Sequence, residues 1–176
     1  MRLPFAIALA CVLWGCSLAR SPMAPSLQTL STLERVGGSS SVRREASAPV
    51  VMVHFMSSWC GQCLFELPHI VSLRRSIQSG ELGIIAVAID DTESDARSVA
   101  ERTQLPFPLL LDRDGVAKEL FSIRTLPTTL FISSDGAPVA ILDAHTRSTT
   151  NRFEGAYEWD RGPARAQIQA ALDARD

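Results

Sequence analysis

The stretch Pro49-Val50-Val51-Met52-Val53-His54-Phe55-Met56-Ser57-Ser58-Trp59-Cys60-Gly61-Gln62-Cys63 decides the fold. Its first half is valine-rich and nearly continuous in apolar character, as strands buried on both faces are. Ser57-Ser58-Trp59 reads as a turn. A helical pattern follows from about Cys60 to about Ile77, with Leu64, Leu67, Ile70, Val71 and Leu73 as its apolar stripe. Pro68 lies inside that helix and predicts a kink. Cys60 and Cys63 stand where a buried strand hands over to a helix, a place where a thiol pair can form, break and exchange a disulfide.

Outward from this stretch the pattern alternates. Gly83 to Ile89 predicts a second buried strand, and Asp90-Asp91-Thr92-Glu93-Ser94 ends it and caps a helix through Gln104. Leu109-Leu110-Leu111 is a short strand, Val116 to Phe121 a short helix, and Ser122 to Pro127 a loop. Thr128 to Ile132 and Ala137 to Leu142 predict a hairpin around Ser133-Ser134-Asp135-Gly136. A polar stretch from Asp143 to Gly162 leads to a C-terminal helix starting at Pro163 and ending near Leu172. Strands alternating with helices give an α/β fold, a central mixed sheet flanked by helices on both faces.

Upstream, Leu27, Leu30, Leu33 and Val36 recur at near-helical spacing, and Gly37-Gly38-Ser39-Ser40-Ser41 breaks the pattern. Residues 20–47 are expected to be a tether and N-terminal extension, with the domain proper over 48–176. Residues 1–19 have the form of a signal peptide: Arg2, then Leu3 to Ala19 without charge. That run is short against the roughly 20 residues of a membrane span. Leu13-Trp14-Gly15-Cys16-Ser17 is similar to a bacterial lipobox, which would make Cys16 the lipidated first residue of the mature chain. Cleavage after Ser17-Leu18-Ala19 is the alternative. The expected location is the bacterial cell envelope, on the periplasmic side, lipid-anchored to a membrane. The sequence has a net charge of −2 and no basic stripe with interleaved aromatics, so nucleic acid is not an expected partner.

Several of these features together resemble one family. The Trp-Cys-x-x-Cys motif after an apolar strand, the loop Thr125-Leu126-Pro127-Thr128 about sixty residues on, and the element order look like the thioredoxin fold. Cys63-Leu64-Phe65-Glu66-Leu67-Pro68 is similar to the Cys-x-x-Glu-x-Pro of the TlpA/ResA-like extracytoplasmic thiol-disulfide oxidoreductases. Leu105-Pro106-Phe107-Pro108-Leu109-Leu110-Leu111-Asp112 and Thr129 to Gly136 resemble that family's inserted segment and its strand and turn after the loop proline. The likeness covers roughly Ala48 to Leu142 and weakens around Gly155-x-x-x-Trp159.

The resemblance implies a thiol-disulfide oxidoreductase with a redox-active Cys60–Cys63 disulfide and no added cofactor or metal. At a helix N-terminus Cys60 meets unpaired N–H groups and the positive end of the dipole, which favour the thiolate over a thiol of ordinary pKa near 8.5, about that of free cysteine. Cys60 is thus the nucleophile and Cys63, one turn along, the resolving thiol. Pro127 is the cis-proline by position, and the backbone of Leu126, beside Thr125, would pair with a substrate strand. Trp59 would shield the disulfide, while Gly61 and Gln62 would tune it. Glu66, three residues after Cys63, could exchange a proton with it; pairing with Arg74 or Arg75 is the plainer alternative. His54, six positions before Cys60, is a proton-relay candidate or a hydrogen-bonded core histidine. His69 and His145 read as surface residues.

The expected partners are a disulfide-bearing exported protein as substrate and a membrane thiol-transfer protein as reductant. A structural disulfide or half of a metal site would need the same cysteines, but zinc takes about four ligands, and the three histidines lack ligand spacing. A peroxiredoxin-type peroxidase would carry Thr two or three positions before its cysteine, where this chain has Ser57-Ser58. A copper-delivery protein would carry Cys-x-x-x-Cys and a histidine near the loop proline, where this chain has Arg124-Thr125-Leu126.

Overall fold

The structure is a computed structural model and describes residues 23–78, 80–90 and 92–175. Cys16 and the signal-like segment lie outside the described residues. Fourteen elements follow in order: α1 (Pro25–Thr32), β1 (Glu34–Gly37), α2 (Val42–Glu45), β2 (Val50–Met56), α3 (Gly61–Ser76), β3 (Leu82–Ala88) and α4 (Glu93–Thr103). Then come β4 (Leu109–Leu111), α5 (Val116–Leu120), β5 (Thr128–Ile132), β6 (Ile141–Leu142), β7 (Thr149–Thr150), β8 (Arg152–Glu154) and α6 (Gly162–Asp173).

Six strands form a mixed sheet in the order β1-β4-β3-β2-β5-β8. The β2–β3 and β3–β4 pairs are parallel, and the β1–β4, β2–β5 and β5–β8 pairs antiparallel. β2 lies at the centre and all seven of its residues are buried. The pleat sends its side chains to alternate faces. Val50, Met52 and Met56 join one core layer with α3, α4 and α6, while Val51, Val53 and Phe55 join the other with α1 and α5. Each fully buried large side chain here contributes roughly 1.5–3 kcal/mol, so β2 anchors both layers.

The N-terminal segment departs from its expected role as a tether. Leu27 and Leu30 of α1 are fully buried, and β1 completes one edge of the sheet against β4. Only Val36 of β1 is buried and its residues are otherwise polar, which is why the strand carries little periodic signal. The segment after β1, part of the same expected extension, holds α2 and a buried acid. Glu45 accepts the N–H of Ile84 at 3.0 Å and the Ser40 hydroxyl, and lies 3.6 Å from Arg74. β4 pairs with β3 only at residues 86–88, so a side chain supplies what the ladder leaves open at Ile84. Gly83 permits this approach: a Cβ there would meet the Glu45 carbonyl oxygen at 1.9 Å.

The predicted hairpin forms only at its tip. The Ser133 N–H donates to Ala137 and the Val139 N–H to Phe131, with one bridge between Ile132 and Pro138. Pro138 has no N–H to extend a ladder. β6 pairs instead with β7 in a separate two-stranded sheet, and the free edge of β5 takes β8. The stretch read as polar thus supplies the last strand, with Phe153 as its one buried residue. α3 runs through Pro68 as a single helix.

Glu45→Ala would leave the buried Ile84 N–H unpaired. A cost of about 1–3 kcal/mol is expected in urea unfolding of the variant, and Glu45→Gln should recover part of it.

Candidate active site

Beyond the C-terminal end of the central strand β2 the chain turns through Ser57-Ser58-Trp59. Cys60 is the N-cap of α3, and its Sγ accepts the N–H of Cys63 at 3.2 Å. That bond uses one of the donors a helix start leaves unpaired, and it points positive charge at the sulfur. Cys60 and Cys63 form a disulfide across a Cα–Cα distance of 5.2 Å. Their exposures differ: 9% for Cys60 and none for Cys63. An incoming group therefore meets Cys60 first. Trp59 is 69% exposed beside it.

A groove of about 730 Å³ runs from Trp59 and Cys60 past Ile89 and Asp90 to Thr125 and Leu126, with the α5 region as its far wall. The Leu126–Pro127 peptide is cis. Thr128 donates its hydroxyl to the Thr125 carbonyl at 2.8 Å, and the N–H of Gly155 donates to the Pro127 carbonyl at 2.9 Å. Gly61 and Gln62 are exposed on the first turn of α3. The structure thus gathers Trp59, Cys60, Thr125 and Leu126 around one groove, with Cys63 beneath.

Glu66 is fully buried and pairs with no arginine among the described residues. Arg74 goes to Glu45 instead. The indole N–H of Trp159 donates to Glu66 Oε1, while Oε2 is buried without a partner among the described residues. Burial dominates and pushes the Glu66 carboxyl up to about 8, against the opposing hydrogen bond from Trp159. It is therefore a proton-carrying group at neutral pH, on the helix of Cys63. Trp159 reaches it because Phe131, Phe153 and Tyr157 hold the indole with ring centroids at 5.5, 5.3 and 4.9 Å. Trp159 was visible in the sequence only as the end of a weak Gly-x-x-x-Trp likeness.

His54 is buried on the Met52–Met56 face of β2, the layer that also holds both cysteines. Its register partner on β5 is Thr129, whose Oγ1 lies 3.0 Å from Nδ1. Nε2 has no partner among the described residues. Burial lowers the imidazole to about 3, so it stays neutral through the physiological range. His69 is not a free surface residue: its Nδ1 lies 2.9 Å from Asp160, tying α3 to the chain just past Trp159. His145 is exposed. Asp90 has a role that its place before α4 concealed. Thr92 caps that helix through the Asp95 N–H, and Asp90 instead accepts from the N–H and hydroxyl of Ser58 at 2.8 and 2.5 Å.

Residues 24–138 match the model of the AhpC/TSA family. The chain belongs to that family. It is 30% identical over 132 residues to the thiol-disulfide oxidoreductase ResA of Oceanobacillus iheyensis, covering 75% of this chain and 68% of that protein. It is 26% identical over 124 residues to the thioredoxin-like protein YneN of Bacillus subtilis, 69% of this chain and 70% of the relative. Among solved structures it resembles a secreted disulfide oxidoreductase of Mycobacterium tuberculosis homologous to DsbE, with a TM-score of 0.58 at 16% identity over 84% of this chain and 98% of the other. It also resembles StoA of Bacillus subtilis, with a TM-score of 0.53 at 18% identity over 74% and 84%. The fold of this AhpC/TSA member is thioredoxin-like, and with its Cys60–Cys63 pair it stands among the thiol-disulfide oxidoreductases.

The raised carboxyl of Glu66 fixes the sign of a pH effect. Protonated Glu66 contributes stability that is fully present below its ordinary value of 4.5 and is lost as pH rises toward about 8. Glu66→Gln removes that dependence. Urea melts of the oxidised protein should show the variant gaining on the parent as pH rises from about 5 to about 8, the interval over which only the unfolded carboxyl has ionised.

Proposed function

We propose that the protein is a disulfide reductase of the bacterial cell envelope, acting on disulfides of other exported polypeptides. The observation that carries this reading is the asymmetric pair at the start of α3: an accessible Cys60 with a backbone N–H on its sulfur, and a buried Cys63 behind it. In the reduced protein the Cys60 thiolate attacks one sulfur of the substrate disulfide. A mixed disulfide forms and the substrate's other sulfur leaves as a thiolate. Cys63, deprotonated, then attacks Cys60 Sγ and expels the second substrate thiolate. Two electrons pass from protein to substrate, and the two cysteine protons end on the two substrate thiols.

Glu66 and His54 serve the buried half of this cycle. Cys63 must lose a proton out of contact with water, and the ionised fraction of a carboxyl with a pKa raised to about 8, near that of a thiol and on the same helix, is suited to take it. His54, neutral and linked to Thr129, is the candidate to pass it on. Trp59, Gly61 and Gln62 flank the substrate's sulfur, and Thr125, Leu126 and Pro127 offer backbone to its extended chain. The reductant that restores the dithiol would be a membrane thiol-transfer protein, and a lipid on Cys16 would hold the domain beside it. The signal-like residues 1–19 and the resemblance to extracytoplasmic thiol-disulfide oxidoreductases support the envelope location.

Cys63→Ser should accumulate a mixed disulfide at Cys60 with its envelope substrate, visible as a reductant-sensitive adduct, whereas Cys60→Ser should give none. A reduction potential above about −150 mV, toward the value near −120 mV of DsbA, would overturn the reductase direction. Steady peroxide consumption by the reduced protein would instead favour a peroxidase.

A further inference from the structure

We propose that Asp90 is a positioning residue that holds the Cys60 turn in place and, through its unpaired carboxylate oxygen, disfavours the Cys60 thiolate, keeping the pair strongly reducing. This deepens the reductase reading and rests on it.

Four buried side-chain atoms lack a hydrogen-bond partner among the described residues: His54 Nε2, Ser57 Oγ, Glu66 Oε2 and Asp90 Oδ2. All four lie on the segments that converge on the cysteine pair: the end of β2, the turn after it, the start of α3 and the end of β3. Native proteins satisfy nearly all buried polar groups, so such a concentration is a property of the site. Of the four residues, His54 is neutral and Glu66 holds its proton at neutral pH. Asp90 is different. Both hydrogens offered by Ser58 go to its Oδ1, leaving Oδ2 buried and without a partner among the described residues, in a residue that lines the groove with Trp59 and Cys60.

The other charges along that groove are spoken for or exposed. Asp112 accepts the N–H groups of Ala117 and Lys118 at the start of α5, at 3.0 and 2.7 Å. Arg113 lies 3.8 Å from Glu34. Asp114, Lys118 and Arg124 are exposed, where water and salt screen a charge over about 8 Å. A buried carboxylate oxygen is screened far less. It opposes the negative charge that Cys60 gains on reduction, against the pull of the α3 N-terminus in the other direction. Destabilising the reduced form relative to the disulfide makes the dithiol a better electron donor.

The test uses the full chain and two variants. Asp90→Asn keeps an acceptor for Ser58 but removes the charge. Ser58→Ala keeps the charge and removes the hydroxyl that partly neutralises it. Thiolate absorbance against pH gives the Cys60 midpoint, and equilibrium with glutathione gives the potential. Asp90→Asn is expected to lower the midpoint by about one unit, a tenfold gain in thiolate, and to make the pair more oxidising by about 30 mV, the equivalent of tenfold in a two-electron couple. Ser58→Ala should raise the midpoint. A purely structural Asp90 would leave the midpoint and potential of Asp90→Asn at parental values, which overturns the proposal. If Asp90→Asn does not fold, an unchanged or lowered midpoint in Ser58→Ala overturns it instead. A parent potential above about −150 mV defeats the reductase reading alone, because the difference between parent and variant is still defined.

Discussion

Everything at the redox site depends on the burial of β2. Its seven residues are enclosed by β3 on one side, β5 on the other, and a core layer on each face. Nothing in that strand can slip by one residue without moving Val51, Val53 and Phe55 into the wrong layer. The register therefore fixes where the chain leaves the sheet, and with it the position of the Cys60 N-cap. Because the exit is rigid, Cys60 can be the accessible sulfur and Cys63 the enclosed one without any moving part.

The same burial sets the chemistry. The ionisable groups buried beside the cysteine pair are held neutral by desolvation: Glu66 protonated near pH 7, His54 deprotonated. Desolvation outweighs the hydrogen bond from Trp159 at Glu66, and a single partner, Thr129, does not rescue the charged form of His54. A carboxyl whose pKa is raised by burial costs stability when it ionises.

The strongly periodic parts of this fold were legible in the sequence. β2, α3, β3 and the cysteine motif follow from apolar runs and turn residues, the mixed α/β sheet from their order, and the thioredoxin-like fold from the family resemblance. The edges were not. β1 and β8 each bury one residue, Val36 and Phe153, so neither carries an alternating signal, and β8 hid within a polar stretch. The hairpin after β5 failed at Pro138, where turn chemistry pointed correctly to Gly136 but the missing N–H ended the pairing. At the site, spacing from the cysteines found Glu66 and His54. It could not find the contacts of Asp90 or Trp159, which come to the motif from far along the chain, although the cap expected within residues 90–94 is there, at Thr92.

The bond between Trp159 and Glu66 joins residues 93 apart in the chain, and the pairing of His54 with Thr129 spans 75. A polypeptide is made from its N-terminus, so Cys60 and Cys63 emerge long before the segments that enclose them. During that interval the central strand has an open edge, and both thiols face whatever surrounds the nascent chain. The asymmetry between the two cysteines is thus acquired late. Until residues 128–159 have arrived, the protein carries a reactive thiol pair without the walls that give each sulfur its separate part.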